Sequence, residues 1–543
     1  MLIKIAGGRI LDPANQRDEV GDLWIQDEHI AAPPADGGAD ETFDATGLVV
    51  MAGAIDIHSH IAGANVNTAR LLLPEQHRAH AARPAATPLS NAGWSTFETG
   101  RLYAQMGFTT VVEPAISPHQ ALHAHLELAD TPVIDKAILA ILGNDDFGLS
   151  LMRDGAGADA IRDYVAWTLE SSKALGIKVI NAGGVAALKD NVRSFSFDDV
   201  VPHYGISSRQ IVKTLQRAVH DTGVPHPLHV HCNNLGLPGN YQTALSTIAA
   251  AEGLPLHLAH LQFYGYGSEG KLGFSSAAPE LAEAVNATKN ITVDVGQAMF
   301  GQTVTISSDV LRQFSARGQA RPNKYVIIDG DANGGGVMPY EYRAGSFANA
   351  VQFAVGLELF LLIDDPWRVF FTTDHPNGAP FTSYPNLFAL LMSRDERSRW
   401  LERLPPEALA VTTLGSLTRE YAWSEIAIMT RAAPARLLGL KDRGHLAPHA
   451  RADVAVYRPG PDLAATFRRA VRVYKDGECV VQDGELSHYR FGRALRVAPD
   501  LDASMVRRLA DYYDRRYGLD IGLLSVPKAA LPREPFETVA CLN

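Results

Sequence analysis

The chain has 543 residues, of which 46% are hydrophobic and 20% charged, and its formal net charge is −11 at pH 7. Such a composition is typical of a globular protein that buries a large core, so it excludes wholesale disorder. The acidic balance and the lack of a clustered basic face argue against nucleic-acid binding. The three cysteines lie far apart, which excludes a disulfide framework, a zinc finger and a cysteine-ligated iron–sulfur cluster.

The N-terminal sequence MLIKIAGGRILDP lacks the continuous apolar stretch of a signal peptide. The sequence also has no apolar run of about 18 residues, the length that a membrane-spanning helix requires. We therefore expect a cytoplasmic protein.

Residues 1–50 have the pattern of short strands separated by turns, and from residue 51 to 432 apolar runs alternate with helical stretches. This alternation predicts a parallel sheet with helices outside it, and the number of units favours a closed (β/α)8 barrel of the TIM type. The first run, GLVVMAGAIDIHSHIAG from Gly47, is typical of a fully buried parallel strand. The later runs are FTTVVEP (108–114), AILAILGN (137–144), GIKVINAGG (176–184), HPLHVHCNN (226–234), LPLHLAHLQ (254–262), NITVDVG (290–296) and RVFFTTDHPNG (368–378).

After residue 432 the pattern returns to short strands. Their sequences, ADVAVYRPG, VRVYKDGECVVQDGEL and YRFGRALRV, are typical of antiparallel strands joined by Asp-Gly turns. We predict that residues 433–495 pair with residues 1–50 in a small β-sandwich domain beside the barrel. Residues 496–543 are predicted to form a helix, DASMVRRLADYYDRRYG, followed by an irregular tail that suits a docking arm.

His58 and His60 stand two residues apart at the carboxyl end of the first buried strand. Alternate residues of a strand point to the same side, so both imidazoles can bind one metal ion. A lone pair of this kind is more often structural, but a TIM barrel places its catalytic groups at this end of its strands. The position therefore favours a metal site.

Lys178 lies inside the apolar run GIKVINAGG, where a charged ammonium group is costly to bury. One interpretation is a lysine at a strand end whose amine reaches water. The other is that burial lowers the pKa of Lys178 and leaves a neutral amine. A neutral amine can take up CO2 as a carbamate, which is able to bridge two metal ions.

Two further strands carry histidines, and a third carries an aspartate. His231 is the predicted ligand on one strand because it lies nearer the carboxyl end than His229, which has the same parity and is either a further inward-facing ligand or a core or supporting residue. His260 is preferred over His257 for the same reason. Asp374 ends another strand before a Pro-Asn-Gly turn, and it is either a metal ligand and base or a turn or helix-cap residue.

Together these side chains predict one metal centre, because all of them lie at carboxyl ends of strands of the same barrel. Nitrogen and oxygen ligands without a thiolate suit zinc, and less often manganese, iron or cobalt. The candidate ligands are His58, His60, Lys178, His231, His260 and Asp374.

Longer motifs around these positions resemble one family within the metal-dependent amidohydrolase superfamily. The similarity is to the A subunit of formylmethanofuran dehydrogenase, a family that also includes the corresponding component of the bacterial formyltransferase/hydrolase complex of one-carbon metabolism. The motifs are IDIHSHIAGANVNTARLLLPE, HVHCNNLGLPGNY, HLAHLQFYGYG and TTDHPNGAPFTSYP. The resemblance covers essentially the whole chain.

The resemblance implies a dinuclear zinc site and a substrate with an N-formyl group on the aminomethylfuran of methanofuran or methylofuran. It also implies companion subunits. Its ligand assignment gives His58 and His60 to one zinc ion, carboxylated Lys178 to the bridge, His231 and His260 to the second ion, and Asp374 to the roles of ligand and general base.

Two directions of reaction are open from the resemblance. The bacterial form hydrolyses the formyl cofactor to formate, whereas the form of methanogens condenses formate with methanofuran. The Ala- and Arg-rich composition favours the bacterial form and therefore hydrolysis.

Four other side chains are candidates for substrate binding. Asn233 and Asn234 follow His231 and can hydrogen-bond a substrate or orient a ligand, although asparagines at such positions also make turns. Tyr264 and Tyr266 are candidates for the wall of a furan pocket, although aromatic residues at this spacing also fill cores.

Two rival functions are open at this stage. One is another amidohydrolase, such as a dihydropyrimidinase, a dihydroorotase or an N-acyl-amino-acid deacylase, which would use the same ligand set. The other is a non-catalytic scaffold in a complex, against which the presence of Lys178 and Asp374 argues.

Overall fold

The computed structural model describes residues 1–35, 37–72, 96–192, 195–307, 336–527, 529, 531 and 536–542. Within these residues two large sheets are present: a mixed sheet built by both chain ends, and a parallel sheet that contains the barrel. None of the described helices is long and apolar enough to cross a membrane.

The amino-terminal strands are β1 (Leu2–Asp12), β2 (Arg17–Gln26), β3 (His29–Ala31), β4 (Glu41–Asp44) and β5 (Val49–Ala52). β1 pairs antiparallel with β2, and it pairs in parallel with β4 along its first half and with β5 along its second half. The change of partner occurs where the register with β2 shifts, between Ile5 and Gly8. Gly7 has a φ of 67° there, which a glycine adopts at no steric cost.

The central strands are β6 (Ala54–Asp56), β7 (Phe108–Ile116), β8 (Asp135–Leu142), β9 (Gly176–Ile180), β10 (Leu228–His231), β11 (Leu256–Leu258), β12 (Tyr266–Gly267), β13 (Ser275–Ser276), β14 (Ile291–Asp294), β15 (Gly301–Ser307), β16 (Gly336–Tyr342) and β17 (Val369–Phe370). In the described chain, eight of them are parallel neighbours in the order β6-β7-β8-β9-β10-β11-β14-β17. A parallel bridge between Ser59 and His375 joins the two outer strands, and His60 N donates to His375 O at 2.9 Å. The (β/α)8 barrel is thereby closed, as the sequence predicts.

The helices lie between these strands and after them. They are α1 (Ala64–Leu71), α2 (Thr96–Gln105), α3 (Ala121–Ala129), α4 (Asp146–Arg153), α5 (Ala158–Ser172), α6 (Gly184–Leu188), α7 (Ser208–Asp221), α8 (Tyr241–Ala250), α9 (Ala278–Ala287), α10 (Phe347–Leu362), α11 (Tyr384–Met392), α12 (Arg394–Leu401), α13 (Pro406–Leu409), α14 (Trp423–Ala427), α15 (Ala433–Leu438), α16 (Leu463–Arg468) and α17 (Ala503–Tyr517). Their starts follow ordinary capping chemistry. Before α7, for example, the side chains of Ser207 and Gln210 each accept a hydrogen bond from the other residue's backbone amide.

The first apolar run supplies two strands, so its prediction as a single barrel strand is wrong. β5 belongs to the sheet of the chain ends, and β6 is the first strand of the barrel. The run changes sheet at Gly53, where an added Cβ would lie 2.2 Å from Thr109 Oγ1. Apolar character alone does not reveal the change, because both strands are buried.

The carboxyl-terminal strands of the mixed sheet are β18 (Val454–Tyr457), β19 (Arg472–Lys475), β20 (Glu478–Gln482) and β21 (Glu485–Leu486). β18 pairs with β5, so both chain ends build the domain beside the barrel, as expected. The hydrophobic cluster of this domain likewise draws on both ends, with Ile5 and Val50 packed beside Val454 and Tyr474. It is separate from the cluster that fills the barrel.

The run YRFGRALRV does not join this sheet, so that part of the prediction is wrong. Its strand, β22 (Ala494–Val497), pairs in parallel with β8 of the barrel and with β23 (Glu537–Val539) in the C-terminal tail. The Asp135 carboxylate, at the start of β8, accepts from the backbone amide of Arg493 at 2.7 Å, which directs the strand to the barrel. The predicted terminal helix is present as α17.

Candidate metal centre

The barrel brings the six candidate ligands together: five of them lie at or after the carboxyl end of a strand, and Lys178 is the middle residue of β9. His58 and His60 follow β6, Lys178 lies in β9, and His231 ends β10. The remaining two are His260, just after β11, and Asp374, just after β17. All are buried except His60, whose side chain is 17% exposed.

One carboxylate oxygen of Asp374 faces the first histidine pair. Asp374 Oδ1 lies 3.1 Å from His58 Nε2 and 3.2 Å from His60 Nε2. Ligand atoms of these three residues all fall within 4.8 Å of one another, which is the spacing of ligands around a single metal ion.

The second histidine pair lies beside the first. The imidazole of His260 has its centroid 5.3 Å from that of His58 and 4.7 Å from that of His231. His260 is therefore the member of the second pair that adjoins both His58 and His231.

Lys178 is buried within the same barrel, with 1% of its surface exposed. Burial lowers the pKa of Lys178 to about 8, and the opposing attraction of Asp294, Asp374 and Glu113 does not restore the usual value. The lowered pKa leaves about a tenth of the amine neutral at pH 7, far more than for an exposed lysine, and the neutral amine is the form that reacts with CO2.

Several buried polar atoms at this site have no hydrogen-bond partner within the described residues, and a buried atom of that kind is costly unless something binds it. The atoms are His58 Nε2, Lys178 Nζ, His260 Nδ1 and Asp374 Oδ1. His58 Nε2 and Asp374 Oδ1 are close but not aligned as donor and acceptor, as expected for two ligands of a common cation. Nitrogen and oxygen donors of this type fit zinc.

Two carboxylates that the sequence analysis did not single out hold the first histidine pair. Glu113 Oε1 lies 3.0 Å from His60 Nδ1, and Asp294 Oδ2 lies 3.0 Å from His58 Nδ1. A carboxylate on Nδ1 leaves Nε2 available to a metal. The signal in the sequence was an acidic residue inside each of the strand runs FTTVVEP and NITVDVG.

The charges of this cluster support an ionised Asp374. Burial raises the pKa of Asp374, but the imidazoles of His260, His58 and His60 outweigh it and hold the pKa well below its usual value. Burial lowers the pKa of His60, but Glu113 and Asp374 outweigh it and raise that pKa to about 9. An ionised carboxylate is the form that binds metal and accepts a proton.

His229 lies beside His58, and with His58 and Asp294 it forms a second group whose donor atoms all fall within 4.8 Å of one another. Its Nε2 is 3.1 Å from His58 Nδ1, and its Nδ1 is 3.1 Å from His226 Nε2. Burial lowers the pKa of His229 well below its usual value, so it is neutral. His229 is therefore placed to support the imidazole of His58. Such a supporting role is one of the interpretations that the sequence left open.

The comparisons with known proteins fit this geometry. The model of the Amidohydrolase family (Amidohydro_3) matches residues 41–486. The chain belongs to the amidohydrolase family. This amidohydrolase is 50% identical to the A subunit of the formyltransferase/hydrolase complex Fhc of Methylorubrum extorquens, over 100% of both chains.

A second relative and a solved structure extend the match. The amidohydrolase is 36% identical to Protein FwdA of Methanocaldococcus jannaschii over 95% of each chain. It also matches a chain in the crystal structure of the formyltransferase/hydrolase complex (FhcABCD) from Methylorubrum extorquens in complex with methylofuran. That match has a TM-score of 0.94 and covers 100% of both chains at 50% identity.

The four candidate substrate-binding residues of the amidohydrolase have partners within the protein. Asn233 Oδ1 accepts from Ser208 Oγ at 2.9 Å, and Asn234 takes a left-handed φ of 66° in a turn. Tyr264 stacks on His260 with centroids 5.7 Å apart and donates to Cys232 O at 2.8 Å. Tyr266 is fully buried. Direct contact of these four with substrate stays a prediction.

Proposed function

We propose that this amidohydrolase hydrolyses the N-formyl amide of a formylated furan cofactor, formyl-methylofuran or formyl-methanofuran. The products are formate and the free amine cofactor. The observation that carries the proposal is the convergence of the six candidate ligands in a chain that is 50% identical to the A subunit of Fhc over its full length. We further propose that the chain acts as a component of a formyltransferase/hydrolase complex, since that relative belongs to one.

In this proposal His58 and His60 would hold one zinc ion, His231 and His260 would hold the second, and carboxylated Lys178 would be their shared ligand. The ions would lower the pKa of a bound water and polarise the formyl oxygen. The unpartnered buried atoms of the site support this assignment, because each is a nitrogen or oxygen donor.

Asp374 is the proposed proton carrier of the reaction. Its carboxylate is ionised and lies between two imidazoles, so it can accept a proton from the attacking water. It then donates that proton to the departing nitrogen, which would otherwise leave as a strongly basic amide anion. The same residue must act in reverse when formate condenses with the amine, which is the alternative direction of the reaction.

Hydrolysis is the proposed direction. The identity to the component of the bacterial hydrolase complex is 50%, against 36% to FwdA of a methanogen. This difference agrees with the direction that the composition of the chain favours.

The experiment that tests the proposal measures formate release from N-formylfurfurylamine by the zinc-loaded chain together with its companion subunits. Hydantoin and dihydroorotate serve as competing substrates. We expect formate release from the formamide alone, and a loss of at least about 100-fold in Asp374→Asn, because that amide cannot accept the proton.

Two outcomes would contradict the proposal. Turnover of a cyclic amide in place of the formamide would indicate another amidohydrolase. No turnover of any substrate by the zinc-loaded complex would indicate a non-catalytic scaffold.

A further inference from the structure

Asp294, the last residue of β14, is fully buried, and its carboxylate contacts four histidines of the barrel. Its Oδ2 lies 3.0 Å from His58 Nδ1 and 3.0 Å from His257 Nε2. Its Oδ1 accepts a hydrogen bond from the backbone amide of His260 at 2.5 Å. The same carboxylate lies 3.5 Å from His229 Nε2, so it contacts groups that follow or belong to β6, β10 and β11.

Two of these contacts reach candidate ligands of different metal ions. On the proposed function, His58 belongs to the first zinc ion and His260 to the second. A carboxylate on His58 Nδ1 keeps the proton on that nitrogen, which leaves Nε2 unprotonated for the metal. A carboxylate on the amide of His260 holds the backbone that carries the second ligand.

The backbone of His260 needs such support. Its φ of 35° lies in the left-handed region, which is uncommon for residues with a side chain. The segment after Asp294 packs directly on it, since a Cβ added to Gly296 would lie 2.4 Å from His260 Cβ. Glycine at position 296 thus allows the two segments to approach closely enough for the hydrogen bond.

Glu113 offers an internal comparison, because it supports one ligand of one ion. Its Oε1 lies 3.0 Å from His60 Nδ1, and its Oε2 accepts from the amides of Ile61 at 2.6 Å and Ala62 at 3.0 Å. All of these contacts lie in one segment after β6. These hydrogen bonds therefore support a ligand of the first ion and not a ligand of the second.

We propose that Asp294 is a positioning residue that couples the two metal positions, because its carboxylate orients the imidazole of His58 and fixes the backbone of His260. This inference rests on the proposed function, since it takes the two ions from there. It adds that the two positions share a support that contacts neither ion.

In Asp294→Asn, the asparagine cannot accept a hydrogen bond from both His58 Nδ1 and the backbone amide of His260, because only one of its two terminal atoms is an acceptor. If the amide oxygen accepts from His260 N–H, the NH2 group donates to His58 Nδ1 and forces the proton onto Nε2, which then cannot bind metal. If the amide is turned round, its NH2 group faces the N–H of His260 and the support of the second ligand is lost. Either orientation damages the site.

The test is a cobalt titration of the metal-free full chain, followed by its ligand-field absorption. We expect two equivalents for the wild type, and both binding steps weakened by about 10- to 100-fold in Asp294→Asn. In Glu113→Gln we expect one of the two equivalents of cobalt to bind with wild-type affinity, because Glu113 supports a ligand of the first ion alone. The control is Glu358→Gln, another buried carboxylate, which bonds Ser276 and Thr413 away from the ligands and should keep both equivalents.

Each other result counts against the inference. The inference would be overturned if Asp294→Asn bound cobalt as the wild type does, or if only one of its two binding steps were weakened. It would also be overturned if Glu113→Gln weakened both steps as Asp294→Asn does. None of these results would affect the proposed function. Fewer than two equivalents in the wild type would overturn the dinuclear site and this inference with it.

A measurement on the wild type keeps the inference testable if Asp294→Asn does not fold. In metal-free protein labelled with ¹⁵N-histidine, we expect His58 to carry its proton on Nδ1. We also expect the His260 amide to exchange slowly with solvent. A proton on His58 Nε2, or a rapidly exchanging His260 amide, would overturn the inference.

Discussion

The backbone of Asp374 has a φ of 50°, in a region that residues with side chains seldom occupy. Its amide donates to Thr372 Oγ1 at 2.7 Å, and its carbonyl accepts from Asn377 N at 2.7 Å. Such bonds hold a strained residue in place, and strain of this kind concentrates at functional sites. The geometry aims the carboxylate of Asp374 at both Nε2 atoms of the first histidine pair.

Lys178 is the residue on which the proposed bridge depends, so Lys178→Ala should lose metal and activity together. Because a bridging ligand is removed, we expect zinc affinity to fall by more than the roughly 10- to 100-fold that loss of an orienting residue causes. A short carboxylic acid added to the variant should restore part of both. Zinc content by elemental analysis and formate release check this.

Lys136→Met is the matched control, because Lys136 is also a buried lysine of a barrel strand. Its Nζ donates to the carbonyls of Thr131 and Gly492, both at 3.0 Å, at the opposite end of its strand. This variant should lose stability but keep its zinc. Full metal content and turnover in Lys178→Ala would contradict the bridging role.

The sequence predicted the site residues by their position on strands, and the structure brings those residues together within one barrel. The sequence analysis preferred His231 over His229 because of the strand end, and the structure places His229 beside His58. It did not find Glu113 or Asp294. Asp294 lies 236 residues from its partner His58, so that contact exists only once the barrel has closed.

At the scale of elements, turns were predictable and sheet membership was not. Both Asp-Gly turns of the small domain are present, with left-handed φ values at Asp476 and Asp483 and at the glycines that follow them. Their conformation depends on two adjacent residues. The sheet that β22 joins depends on a distant acceptor, Asp135. The alternation of apolar residues in YRFGRALRV does not indicate which sheet the strand will join.

The two Asp-Gly turns allow a matched test of local packing. Gly477 and Gly484 share a φ of 78°, so an alanine is strained at either position. A Cβ at Gly477 would lie 1.7 Å from the carbonyl oxygen of Asp27, whereas one at Gly484 would meet the side chain of Arg469 at 2.9 Å. The atom met at Gly484 is Arg469 Cβ, and at 2.9 Å this contact is much less severe than the 1.7 Å contact at Gly477.

We therefore expect Gly477→Ala to lower the free energy of unfolding by at least about 2 kcal/mol more than Gly484→Ala. Urea denaturation of both variants, followed by tryptophan fluorescence, measures the difference. Equal losses in the two variants would mean that backbone strain alone, and not the contact with Asp27, sets the cost at Gly477.

At the scale of the whole molecule, the barrel and the small domain meet around a buried lysine. Lys475 Nζ, fully buried, lies 3.2 Å from Asp135 Oδ2, 3.1 Å from Asp453 Oδ1 and 3.0 Å from Asp476 Oδ2. Asp135 begins a barrel strand, and it also binds Arg443 at 2.9 Å. Opposite charges buried together in this way stabilise the contact only while every partner is present.

Lys475→Met should therefore cost about 3–5 kcal/mol of unfolding free energy, because it removes the cation that pairs with Asp453 from a cluster of three buried carboxylates. Lys4→Met is the control. Lys4 pairs with Asp22 at 2.7 Å in a partly exposed position, and its loss should cost at most about 1 kcal/mol. Urea denaturation at pH 7 measures both variants.

The pH dependence of the Lys475→Met variant separates lost charge pairing from lost packing. Burial already raises the pKa of Asp453 above its usual value, and removal of Lys475 should raise that pKa further. A carboxyl group whose pKa is higher in the folded than in the unfolded state costs stability above that pKa, and the cost shrinks as the pH falls through it. The deficit relative to wild type should therefore be smaller at pH 5 than at pH 7. An equal deficit at both values would assign the loss to packing of the lysine side chain.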